Sequence, residues 1–179
     1  MNVKENMKKK YKIKEQRIIG LITFVSLILI LWEIMLFRKT FVPFYIPLLF
    51  SLIGGFLLFL FLRKKINYYE QSKHPFWQKA LHGIIMFGGV LGFLLLSINF
   101  YFPTNKFEKV KLKILEIGTL TNSKNRCEPP FVLVSFKGHQ KQIVFPCHFV
   151  ISNPEMIELE LQKGSFGFYI VQEKTLINK

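Results

Sequence analysis

The stretch Leu81–Phe102, LHGIIMFGGVLGFLLLSINFYF, contains no Asp, Glu, Lys or Arg. At about 1.5 Å rise per residue it makes a helix roughly 33 Å long, enough to cross a hydrocarbon core of about 30 Å. Two similar runs precede it, Ile18–Phe37 and Phe41–Leu62. The sequence therefore predicts three transmembrane helices. The second carries Pro43 and Pro47 in its first turns, where a missing backbone N–H is tolerated best.

The first run follows a basic segment, Met1–Arg17. It is too long for the apolar core of a signal peptide, and no small-x-small cleavage signal follows it, so an uncleaved first span is expected. Lys and Arg number seven in residues 1–17, two at Arg38-Lys39, and five in the loop Arg63–Lys79. The positive-inside rule then puts the N-terminus and the 63–79 loop in the cytoplasm and the chain after the third span outside. Tyr68, Tyr69, Phe76 and Trp77 interleave with the cations of that loop, as suits a segment at head-group level.

A net charge of +14 would suggest nucleic acid if the basic residues lined one soluble face. Many instead crowd the ends of apolar runs, where orientation and anionic head groups explain them. No nucleic-acid partner is expected; the lipid bilayer is. All eleven acidic residues are Glu. Paired-Asp chemistry and Asp-rich cation loops are therefore absent.

From Pro103 onward the pattern alternates. Lys109–Ile117 sets Val110, Leu112 and Ile114 against Lys109, Lys111 and Lys113, a half-buried strand. Phe131–Phe136 and Gln142–Phe145 flank a turn at Lys137-Gly138-His139-Gln140, and Ile157–Leu161 and Phe166–Val171 complete about five strands. Gly167 suits a bulge or bend. The expected fold is a membrane α + β chain: a three-helix region over 18–102, then a small antiparallel sheet or partly closed barrel over 103–179.

So small a domain gains from a staple. Cys127 and Cys147 fall nearly opposite each other across the base of the 131–145 hairpin when it is centred on Lys137. An outside location favours a disulfide between them, stabilising by about 3 kcal/mol in the chain-entropy model. Cys127, His139, Cys147 and His148 also form a Cys₂His₂ set, but the spacing fits no finger or ribbon, and adjacent strand residues point to opposite faces. No metal or cofactor is expected.

Within the spans, Ser51-x-x-x-Gly55 and Gly88-x-x-x-Gly92 are small-residue pairs that let helices approach closely, for packing of the second span on the third or for homo-oligomerisation. His82, Ile85, Gly89, Gly92, Leu96 and Asn99 share one helical face. Glu33 is the one acid inside an apolar run, with Ser26 one heptad earlier on its stripe. No phosphate loop, nucleophile elbow, H-E-x-x-H or dinucleotide fingerprint is present. The Lys-, Ile- and Asn-rich composition is of the kind low-GC bacterial genomes encode.

The expected function is non-catalytic: an outward-facing β domain that binds or scaffolds an envelope protein. The alternative is a subunit of an oligomeric transporter or channel using Glu33, His82 and Asn99. A thiol or metal enzyme at Cys147 and His148 ranks lowest.

Overall fold

Backbone polar groups in hydrocarbon must be satisfied within the segment, which is why apolar runs of this length become helices. The computed structural model describes residues 3–66, 74–120, 128–147, 149–152 and 154–177, with side chains from residue 16 onward. Tyr68, Tyr69 and Lys73 of the basic loop, and Cys127 and His148, lie outside the described residues.

Four α-helices are α1 (Val3–Lys39), α2 (Tyr45–Leu62), α3 (Phe76–Gly83) and α4 (Gly89–Tyr101), the last two joined by a π-helical turn at Ile84–Gly88. They give three segments long and apolar enough to cross a membrane: Gln16–Lys39, Tyr45–Leu62 and Phe76–Tyr101. The second begins at Tyr45 rather than Phe41, because Thr40-Phe41 is extended and Pro43 precedes the helix. The third begins at Phe76, directly behind the extended Pro75.

The chain divides into two compact units, Met1–Phe37 with Phe44–Ser97, and Arg38–Pro43 with Ile98–Lys179. In the helical unit, α2 packs on the π turn through glycine. A Cβ on Gly55 would lie 2.8 Å from Gly88 N and 2.9 Å from Ile84 O, so only the bare backbone allows this approach. Ile19, Phe59, Ala80 and Met86 are buried together. Leu21, Phe24 and Leu31 remain more than 60% exposed.

The second unit is a six-stranded antiparallel sheet that nearly closes on itself. Its strands are β1 (Thr40–Phe41), β2 (Phe107–Thr119), β3 (Pro130–Phe136), β4 (His139–Val144), β5 (Met156–Lys163) and β6 (Tyr169–Ile177), in the order β1-β6-β5-β2-β3-β4. The count is six where the alternation shows five. The extra strand, β1, comes from the break between α1 and α2, and Thr40 pairs with Ile170 and Phe41 with Tyr169. Phe166 belongs to the turn before β6 rather than to the strand, and Gly167 holds a φ of +85° there.

β2 pairs with β5 along Phe107–Lys113 and with β3 along Ile114–Thr119. Register shifts at Ile114/Glu116 and Glu160/Leu161 mark the irregularities that bend a flat sheet toward a barrel. The β3–β4 turn is the two residues Lys137-Gly138, both at positive φ, so Phe136 faces His139. This register is one residue off a hairpin centred on Lys137.

The interior holds Phe41, Val132, Val134, Phe136, Ile143, Phe145, Ile157, Leu159 and Leu161, with Val110, Leu112 and Ile114 packed against them. The inward set on β2 is the one its alternation specifies.

Replacing Gly55 by Val should force α2 away from the π turn and destabilise the helical unit by about 1–3 kcal/mol, the range for overpacking. Gly20→Val, where a Cβ meets nothing within 4 Å, should stay within about 0.5 kcal/mol of the parent. Unfolding of both variants by SDS titration in mixed micelles checks the contrast.

Candidate functional site

Several polar side chains of the helical unit lie along the contact of α1 with α3, the π turn and α4. Thr23 Oγ1 donates to Ile19 O at 2.9 Å and lies 3.0 Å from His82 Nε2. Three residues on, Ser26 Oγ donates to Ile85 O at 2.7 Å. Ile85 lies in the π turn, and its carbonyl also accepts from Gly89 N, so Ser26 is a second donor to it from another helix.

Further along, a Cβ on Gly92 would meet the Glu33 carboxylate at 2.6 and 2.7 Å, and it would also meet Ser51 Oγ. Glu33 and Ser51 thus converge over one glycine from α1 and α2. Glu33 makes no ion pair among the described residues, and the buried Ser51 hydroxyl has no hydrogen-bond partner among them. The contacts 23–82, 26–85 and 33–92 ascend together, so α1 and the third span run parallel here.

Asn99 does not join this group. It belongs to the second unit, fully buried, and its amide accepts from Phe166 N at 3.1 Å and donates to Phe168 O at 3.3 Å. Gly164 packs on the same amide so closely that a side chain there would collide with it. Thr104 N and Oγ1 both donate to Lys163 O at 2.8 Å, and Ser165 Oγ donates to Phe102 O. The β5–β6 turn is therefore fastened to the last turn of α4 and the residues after it. Glu33 and His82 belong to the helical unit, and Asn99 is bonded within the second unit.

In the β unit, three lysines cross the opening between the sheet's ends. Lys141 points inward on the same face of β4 as Ile143, and its Nζ donates to Thr40 O while lying 5.6 Å from the Phe41 ring centroid. Lys174 of β6 donates to Val144 O and covers the Phe145 ring at 4.6 Å. Lys137 donates to Tyr169 Oη at 2.6 Å and lies 4.1 Å from that ring's centroid. Ammonium groups over aromatic faces attract without needing a carboxylate. Burial lowers the Lys141 pKa to about 8 and lowers that of Lys174 as well. Extending the alternation one step back from Ile143 would have found Lys141 as an inward cation.

β4 is the end strand of the sheet. By antiparallel alternation, Gln140, Gln142 and Val144 direct their backbone N–H and C=O away from β3. Gln140 and Gln142 are exposed, and Lys174 caps the Val144 carbonyl. This edge is a candidate binding element.

Cys147 is exposed just beyond β4, and His139 is exposed at its start. No group of three or more metal-ligating side chains comes together among the described residues. The sequence matches no protein-family model and no curated protein, and the fold matches no solved structure.

Lys141 yields a pH prediction. Between about pH 8 and the ordinary lysine value of 10.5, the unfolded chain holds a proton that the folded chain has released. Stability of the β unit should therefore rise with pH across that window. Lys141→Met should flatten this slope without loss of stability below it. Urea unfolding of both proteins in detergent, at pH values on either side of the window, checks this; identical slopes would assign the titration elsewhere.

Proposed function

We propose that this chain is an integral membrane protein that displays its β unit on the extracytoplasmic side as a non-catalytic binding or scaffold module of the cell envelope. The observation that carries this reading is the outer edge of β4. Along Gln140 and Gln142 it offers backbone donors and acceptors to an added strand, and strand addition is an established way to recognise an extended segment. The inward Lys141 behind that edge discourages indiscriminate edge-to-edge pairing, which favours a specific partner.

The orientation follows the charge count, seven and five cations against two. Pairing of β1 with β6 supports a three-span topology, because that topology brings the α1–α2 connection and the chain after the third span to the same side. A disulfide between Cys127 and Cys147 belongs to the same reading. A second reading, proton or ion handling within the spans, rests on the Glu33 carboxylate and the Ser51 hydroxyl over Gly92, the latter with no hydrogen-bond partner among the described residues. Glu33→Gln separates the two: it should leave envelope binding intact if the β unit carries the function.

The test of the binding edge is photo-crosslinking in intact cells. A benzophenone side chain at Gln142 should yield a discrete adduct with an envelope protein, and one at Lys111 on the outer face of β2 should not. Equal adducts at both positions, or none at Gln142, would remove the edge as the binding element.

Orientation and disulfide are read together by labelling with a membrane-impermeant maleimide. Cysteines in intact cells should react only after reduction. Labelling without reduction would keep the outside location and remove the disulfide. Labelling that requires permeabilised membranes but no reductant would invert the topology.

A further inference from the structure

The fastening of the β5–β6 turn to the end of the third span has a consequence for where that turn lies. Asn99 is in the last turn of α4, two residues before the helix ends at Tyr101. At about 1.5 Å per residue, its amide lies only about 3 Å along the axis from the end of the span. The backbone of Phe166 is bonded directly to that amide, and Gly164 packs on it. The turn is therefore held at the depth of the span's final turn, not above it.

Three aromatic side chains are left exposed there: Tyr101, Phe102 and Phe166 at 55%, 69% and 50%. Lys106 and Lys163 are exposed beside them, with Lys163 N donating to Lys106 O at 3.1 Å. Rings of this kind gather at the boundary between acyl chains and head groups, and cations just outside them meet lipid phosphates.

We propose that the β5–β6 turn is a second, non-helical contact with the bilayer, in which Phe166 inserts at the head-group boundary and Lys106 and Lys163 face phospholipid phosphates. The membrane thus holds the β unit at two places: the end of the third span and this turn. The inference rests on the reading of Phe76–Tyr101 as a membrane span. It adds a lipid-binding element within the β unit itself.

The experiment uses the full chain in vesicles of phosphatidylcholine and phosphatidylglycerol, with Trp32 and Trp77 replaced by Phe. A single indole is then introduced by Phe166→Trp, by Leu94→Trp on the exposed side of α4, or by Val150→Trp on a loop side chain that is 84% exposed. Bromine is carried on the acyl chains either near the head group or near the chain end. The Phe166→Trp indole should emit blue-shifted light and lose most of its intensity to the shallow bromine, and little to the deep one.

The Leu94→Trp indole should be quenched as a span residue, and the Val150→Trp indole should emit as in water. Water-like emission from Phe166→Trp with Leu94→Trp still quenched overturns the proposal and leaves the span reading standing. So does quenching of Phe166→Trp that does not differ between the two depths. Water-like emission from Leu94→Trp overturns the span reading and the proposal together.

Discussion

A buried primary amide must find both a donor and an acceptor, because leaving either unmet costs about 1–3 kcal/mol. Asn99 finds them in Phe166 N and Phe168 O. Much of the β unit's arrangement follows from that bond pair. It fixes the β5–β6 turn, it requires glycine at position 164, and it sets where β6 begins. β6 in turn receives β1, which brings Phe41 into the core against Phe136 at a centroid distance of 5.4 Å. The β unit thus draws core residues and hydrogen bonds from the segment between α1 and α2 as well as from the chain after Ser97.

The helical unit follows a different constraint. Four of its polar groups turn toward another helix: Thr23 to His82, Ser26 to the π-turn carbonyl, Glu33 and Ser51 to Gly92. Apolar side chains cannot drive helix association in lipid, since tails are as apolar as leucine. Glycine contacts and interhelical hydrogen bonds carry that task instead. The π turn serves both, presenting Gly88 to Gly55 on one side and the Ile85 carbonyl to Ser26 on another.

The three helices and the alternating strands were legible because both are written in period and length. The long apolar runs mark α1, α2 and the third span, and Val110, Leu112 and Ile114 give β2 its inward face. β1 was not legible, since two residues between spans carry no period. The π turn at Ile84–Gly88 was hidden for a related reason: an apolar run with no polar face has no phase to shift. The hairpin register moved by one because Lys137, a residue with a side chain, adopts a positive φ that composition does not signal. The bonds of Asn99 to Phe166 and Phe168 were not legible, because sequence spacing says nothing about a turn more than sixty residues away.

Amide hydrogen exchange at Phe166, in the full chain reconstituted in lipid nanodiscs, tests the account most directly. The amide should be protected in the parent protein. In Asn99→Leu, which keeps the volume and removes the acceptor, it should exchange about tenfold faster, equivalent to about 1.4 kcal/mol, while Val134 in the barrel core keeps its protection. Unchanged exchange at Phe166 would mean that the turn is held by something other than Asn99, and the organising role given to that amide would have to be abandoned.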